Sequence, residues 1–415
     1  MSSRRGVLCH ITSLPTGDMA SGLRFIDWLS ARGFDAWQIL PLTPPDRFGS
    51  PYASPSAFAG WPKLCHQEIF GDLNEETYWL EDWALYCAIK KSQNGLPWYE
   101  WPVELRDRHP EALSHWKNQI DPYVKEQEEF QANWNVLKDH AYSNNIQLIG
   151  DCPIFVSHDS ADVWAHRELF LLDENGYPEF VTGVPPDYFS EDGQKWGTVL
   201  YDWSAHEKEN WTWWKQRIQR MLRLYDRVRI DHFRGFHSSW AIPHEDEHAR
   251  NGSWQDGPKD TLIQALLDGG CGSSQIIAED LGIIPQEVID LRKRHNLHGM
   301  AVLQFGFEGE LGSNPHHPRN ISFDQVVYTG THDNDTTRGW YNEATDEIKA
   351  NLSELAIDGE EPLQTMLRLA QSTDAELVII PMQDILALDS SCRMNAPGTI
   401  EGNWIWKFDW SDIIL

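Results

Sequence analysis

The chain has 415 residues, with 34 Lys and Arg against 63 Asp and Glu and a formal net charge of −29. A field of that sign repels polyanions, which argues against nucleic acid and anionic membrane surfaces as partners and leaves a neutral polar substrate open. The length fits one large barrel with insertions or two to three domains, and no stretch reaches the roughly 18 apolar residues of a membrane span.

At the N-terminus, MSSRRGVLCHITSLP has a short apolar run broken by His10, too short for the apolar core of a signal sequence. The six Cys, at 9, 65, 87, 152, 271 and 392, show no CxxC spacing. They read as reduced thiols of a cytoplasmic protein. Trp is abundant, with 21 residues; an aromatic ring can cover the apolar face of a sugar, although most Trp of a large domain belong to its core.

Short β-rich runs recur along the chain: GVLCHIT (6–12), FDAWQIL (34–40), QLIGDCPI (147–154), RVRIDHF (227–233), SQIIAED (274–280), AVLQFG (301–306), VVYTGTHD (326–333) and ELVIIPMQD (376–384). Amphipathic helical segments lie between several of them: SGLRFIDWLSARG, WNVLKDHAYSNN, WTWWKQRIQRMLRLY, DTLIQALL, PQEVIDLRKRHN and EPLQTMLRLAQS. Strands alternating with helices imply parallel pairing through right-handed crossovers, and eight of them predict an α/β fold, a closed (β/α)8 TIM barrel. Two connections are long. Residues 43–130 read as an inserted, mostly helical subdomain between strands two and three, and residues 155–207 as an inserted loop subdomain carrying an active-site lid. With no repeat and no flexible linker, residues 1–415 read as one catalytic barrel.

Side chains at the C-terminal rim of barrel strands converge on one spot. Asp231, Glu279 with Asp280, and Asp333 with Asp335 fall there, and Asp151 closes a fourth strand. Such a cluster repels itself, so a purely structural role is disfavoured. Arg229 lies two residues from Asp231 on the same strand face, about 6 to 7 Å away by strand rise. At an effective dielectric near 20 that attraction is about 2 kcal/mol, which favours an ionised Asp231. A second carboxyl among anions is pushed toward its protonated form, as an acid catalyst requires. One ionised and one protonated carboxyl about 5 to 5.5 Å apart cleave a glycosidic bond with retention, and Asp231 and Glu279 on adjacent strands could supply them. Metal-dependent enzymes also gather acids at a barrel mouth, so residue chemistry leaves both open.

HEDEH (244–248) matches the HExxH zinc-hydrolase pattern, but Pro243 precedes it and ARNGSWQDG follows it. Without an amphipathic helix around it, the match reads as a polar loop. PHHPRN (315–320) reads the same way.

Taken in order, HITSLP, WQILPL, SPYASPSAFAG, GDCPIFVSHDSADVWA, GVPPDYFSEDGQKWG, YDW, VRIDHFRGF, AEDLG, GTHDND, PMQD and RMNAPGT resemble the amylomaltase family of 4-α-glucanotransferases, glycoside hydrolase family 77. The resemblance implies transfer of α-1,4-glucan segments between maltooligosaccharides by double displacement, without cofactor or metal; the alternative is an α-glucan hydrolase using the same carboxylates. It implies Asp231 as nucleophile, Glu279 as general acid/base and Asp333 as the third carboxylate. Arg229 and His332 would flank them, Asp151 would meet the reacting sugar, and Tyr52 would be a platform for the bound glucan. In the loop over the cleft it implies Tyr188, Phe189 and Trp196 as aromatic contacts, with Gln194 there and Asn395 elsewhere as polar ones. Between SAFAG and YWLEDWALY this chain is shorter than the family pattern by some tens of residues, and it stops soon after NWIWKF. These departures bear on substrate length and acceptor preference rather than on the reaction.

Overall fold

In the computed structural model, which describes residues 3–67, 77–186 and 191–413, eight parallel strands form the central sheet. They are Arg4–Leu8, Ala36–Gln38, Gln147–Pro153, Arg227–Asp231, Ile276–Ala278, Gly299–Val302, Gln325–Tyr328 and Leu377–Pro381. They are numbered one to eight below. Their hydrogen-bonded order is six, seven, eight, one, two, three, four, five. The fifth and sixth close the ring through a single parallel bridge, Ile277 to His298, with Ala278 N–H donating to the His298 carbonyl at 2.7 Å. At that seam the side chain of Asp280 accepts from Met300 N–H at 2.8 Å, supplying the bond that a strand neighbour would otherwise make.

All eight strands overlap the predicted β-rich runs, but several stop earlier, and the sixth begins before its run and gives way to a 3-10 turn over Leu303–Phe305. The polar residues at the ends of those runs lie beyond the regular strands: Glu279 still bonds to the fourth strand through Ile230 and Phe233, and Asp333 sits in the loop beyond Tyr328. Alternation assigns the faces. Val228 and Ile230 join the core between strands and helices, while Leu8, Ile149, Ile277, Met300, Val326, Tyr328, Leu377 and Ile379 pack the barrel interior. Gln38 and Tyr328 meet across that interior at 2.7 Å, satisfying two buried polar groups at once.

Helices cover the outside. Thr212–Leu224 buries Trp213, Trp214, Ile218, Met221 and Leu224 on one face, and its buried Arg217 donates to the carbonyls of Pro153 and Ile154. That clamp holds the end of the third strand. On the same strand Gly150 faces the ring of Tyr225: a Cβ there would lie 2.1 Å from Tyr225 Cδ2, so only glycine admits the contact. The helix expected near 134–145 runs over Asp121–Ser143, because Asp121 and Pro122 begin it a full three turns earlier.

Between strands two and three the described residues are mostly helical, including Leu80–Ser92 and Asp121–Ser143. Residues 155–207, expected as loop, contain two strands, Phe180–Val184 and Gln194–Val199. These pair antiparallel with Ser238–Pro243 and Ser253–Asp256 in a separate four-stranded sheet. Eleven of the 21 Trp are buried, and Trp196 and Trp254 are the two most exposed, at 39% and 42%. HEDEH lies in the connection between two strands of the small sheet, with His244 N–H bonded to the Glu179 carbonyl. PHHPRN likewise lies in a turn-rich loop. No helix among the described residues is long and apolar enough to cross a membrane.

Candidate active site

The fourth strand carries the centre of the site. Arg227, Arg229 and Asp231 all point into the barrel, at three heights. Low down, Arg227 pairs with Glu376 at 3.0 Å. Near the top, the buried guanidinium of Arg229 forks between two acids, Nη1 to Asp151 Oδ2 and Nη2 to Asp231 Oδ1, each at 2.7 Å. The distance expected from strand rise is thus closed by the reach of the Arg side chain. Asp151 stands opposite Arg229 in the ladder between strands three and four, which is why one fork meets both acids.

Asp151 is 1% exposed, and burial raises its carboxyl against the opposing pull of Arg229. Its Oδ2 also accepts from Tyr52 Oη at 2.7 Å.

Glu279 follows the fifth strand directly. Its Oε2 accepts from His232 N–H at 2.7 Å and its Oε1 from Leu281 N–H at 3.0 Å. The residue that places Glu279 is therefore the one next to Asp231 in the chain. His232 takes a left-handed backbone conformation, φ 52°, which turns its N–H toward Glu279. Desolvation, then the negative charge of Asp231, pushes the Glu279 carboxyl up to about 8, with Arg229 pulling the other way. The two neighbouring acids thus occupy opposite environments: Asp231 has a cation in direct contact, and Glu279 has an anion nearby and little water.

The loop after the seventh strand brings His332 and Asp333 to the same mouth. His332 stacks on Tyr52 at 5.1 Å between ring centroids, and its Nε2 lies 3.4 Å from Asp333 Oδ2. Asp333 Oδ1 accepts from Asn395 Nδ2 at 2.6 Å, and the Asp333 carbonyl accepts from Arg393. Asn395, expected as a sugar contact, is placed here as the donor that orients the Asp333 carboxylate. The other two acids of the sequence cluster serve the scaffold. Asp280 turns away to Arg292 Nε at 3.1 Å, and Asp335 bonds Ser390 and the N–H of Thr336.

Trp196 and Gln194 lie on the strand Gln194–Val199, with the indole N–H of Trp196 donating to Gln194 Oε1 at 3.1 Å. The Trp196 ring meets His232 edge-on at 4.9 Å, which places it beside Glu279 rather than beside Asp333. Tyr188 and Phe189 lie outside the described residues. The structure thus links Tyr52, Asp151, Arg229 and Asp231 by hydrogen bonds and ion pairs, and His332, Asp333 and Asn395 likewise, the two sets meeting where Tyr52 stacks on His332; Glu279 is held beside them by the backbone of His232 and Leu281, and Trp196, bonded to Gln194, lies against His232.

Sequence reasoning passed over His10, His232 and Trp404. His10 is buried beside His332, and desolvation lowers its imidazole to about 3, so it stays neutral. HITSLP carries His10 at the end of the first strand, and the rim rule that selected the acids would have selected it too.

The family model of glycoside hydrolase 77, described as 4-alpha-glucanotransferase, matches residues 9–72 and 66–411. The chloroplastic/amyloplastic 4-alpha-glucanotransferase of Arabidopsis thaliana is 42% identical over 469 aligned positions, covering 97% of this chain and 81% of its own. The 4-alpha-glucanotransferase of Thermus thermophilus is 40% identical, covering 97% and 94%. Among solved structures, an amylomaltase from Streptococcus agalactiae in complex with acarbose superposes with a TM-score of 0.93 at 33% identity, over 99% of this chain and 96% of that one. The 469 aligned positions exceed the 415 residues of the chain, so the Arabidopsis protein carries insertions relative to it. The family match itself divides at residues 66–72, within the stretch after SAFAG where this sequence is short.

Proposed function

The chain belongs to glycoside hydrolase family 77 and is a 4-α-glucanotransferase, and from that premise we propose how its carboxylates divide the work. Asp231 is the nucleophile, Glu279 the general acid/base and Asp333 the carboxylate that holds the hydroxyls of the reacting sugar. The observation that carries this reading is the split between the first two: Arg229 is bound to Asp231 at 2.7 Å, while the carboxyl of Glu279 is pushed up to about 8. A nucleophile must be anionic and a general acid protonated at the same pH.

In the first step Glu279 donates its proton to the glycosidic oxygen, and the Asp231 oxygen not held by Arg229 attacks the anomeric carbon. The reducing-end fragment leaves and a glucosyl ester forms. In the second, Glu279 takes the proton of an incoming sugar 4-hydroxyl, that oxygen attacks the anomeric carbon, and Asp231 is released. Two inversions give net retention. Tyr52 and His332 flank the reacting ring, and Asp151, itself enclosed, acts on it through Tyr52 and Arg229, the two side chains it holds. Gln194 and Trp196 contact the acceptor side, with Asn395 on the side of Asp333; Tyr188 and Phe189, which precede Gln194 in the sequence, are further proposed contacts.

The substrates in this reading are α-1,4-glucans and maltooligosaccharides, as donor and acceptor both. Support comes from the acarbose bound to the Streptococcus agalactiae amylomaltase. The roles assigned need no organic cofactor and no metal. A cytoplasmic setting is supported by six cysteines that are all unpaired.

Incubation with maltotriose tests the proposal. Transfer gives glucose together with a ladder of longer maltooligosaccharides. Shortened products alone would make the enzyme a hydrolase, with water in place of the 4-hydroxyl in the second step.

A further inference from the structure

Trp404 sits in a backbone conformation that a bulky residue rarely takes, φ 65°. Such strain persists only where the surroundings hold it, and it concentrates at functional positions. Its backbone N–H donates to the Met394 carbonyl at 2.8 Å, closing the segment from 394 to 404 at its base. Inside that segment Asn403 ties Ala396 N–H and the Thr399 carbonyl. Both ends of the loop reach His332: Asn395 N–H donates to its carbonyl, and Trp404 meets its ring. Asn395 binds the Asp333 carboxylate. The indole of Trp404 lies 6.0 Å from the His332 ring and 5.7 Å from the Tyr52 ring, tilted 39° to each.

Location decides what this indole can meet. Glu279, which serves the leaving group and the acceptor, follows the fifth strand. Tyr52 follows the second strand and Trp404 the eighth, on either side of the first. In a ring of eight strands the first lies opposite the fifth. A glucan whose scissile bond points at Glu279 therefore continues on its non-reducing side toward Trp404. The indole is part-exposed, and its N–H has no hydrogen-bond partner among the described residues. A flat apolar face with a free donor at its edge is the chemistry that meets a sugar ring.

We propose that Trp404 is a donor-side binding residue that takes the glucose unit next beyond the one bonded to Asp231. This rests on the reading of Asp231, Glu279 and Asp333 given above. The strained backbone then has a reason: it turns the indole toward the mouth rather than into solvent.

The test compares two donors with the same leaving group, α-glucosyl fluoride, which fills only the reacting position, and α-maltosyl fluoride, which reaches one unit further. With glucose as common acceptor, fluoride release gives kcat/KM for each. In Trp404→Ala the value for the maltosyl donor is expected to fall roughly tenfold further than that for the glucosyl donor. Trp404→Phe should keep part of the preference. Trp404→Gly, a residue at ease at this φ, repeats the comparison without backbone strain. Equal loss on both donors would mean that the indole merely supports Tyr52 and His332, and no change on either would remove it from the site; both results overturn the proposal. A wild-type enzyme that releases fluoride from neither donor would instead overturn the glucosyl-ester mechanism.

Discussion

Replacing Arg229 with Met leaves Asp151 and Asp231 side by side with no cation between them. Each contact is 2.7 Å long; with charge centres about 4 Å apart and an effective dielectric near 20, each is worth about 4 kcal/mol of attraction. Much of that is cancelled by desolvation of the guanidinium, and breaking one side of a buried pair costs about 3 to 5 kcal/mol. Asp231 is 29% exposed in its side chain, so the lower half of that range is expected. Spread over an unfolding entropy of about 0.9 kcal/mol per kelvin for a chain of this length, the loss lowers Tm by roughly 3 to 5 °C. The enzyme stays folded at 25 °C, so its kinetics remain measurable.

The pH profile gives the sharper readout. Glu279 must be protonated to act as acid, so kcat/KM falls as pH rises through its pKa, about 8. Arg229 lowers that value; without it the alkaline limb moves to higher pH even as the maximal rate drops. Arg229→Lys retains a charge but cannot fork, so it should restore much of the limb position and little of the rate. Initial glucose release from maltotriose, followed by pH across the alkaline limb, measures both. An alkaline limb that stays put or moves down in Arg229→Met would refute the electrostatic coupling argued from the structure.

Glu279→Gln should cut kcat/KM on maltotriose by about 10² to 10⁴ and abolish the alkaline limb, with a smaller loss on α-glucosyl fluoride, whose leaving group needs little protonation; equal losses on both donors would speak against a proton-donor role. Asn395→Ala removes the donor to Asp333 Oδ1 and should lower kcat roughly tenfold with KM changed less, read from steady-state rates across maltotriose concentrations. Lys259 holds φ 50° with ψ −129°, a conformation suited to glycine, and its ion pair with the exposed Asp256 is weak compensation. Lys259→Gly should therefore raise stability by about 1 kcal/mol, seen as a higher Tm by calorimetry.

Alternation along RVRIDHF and the rim rule of a parallel barrel assigned Asp231 and Arg229 to the interior, because a period of two is a property of the strand alone. The order of eight β-rich runs between amphipathic helices set the fold in the same local way. Pairs such as Glu279–Asp280 could not be sorted so. Glu279 still bonds to the fourth strand through Ile230 and Phe233, and Asp280 stands beyond it at the seam where the ring closes; the structure turns the first side chain to His232 N–H and the second to Arg292. Nor could spacing reveal that the fork of Arg229 joins Asp151 to Asp231, since those acids lie 80 positions apart and meet through strand register.

The antiparallel sheet that carries Trp196 pairs strands on either side of the fourth barrel strand, and its short runs resemble loop until the partners meet. The local pattern of the sequence thus determined which side chains could reach the mouth of this barrel. Closure of the ring, which brings residues hundreds of positions apart within one hydrogen bond, decided which of them share a charge or a hydrogen bond.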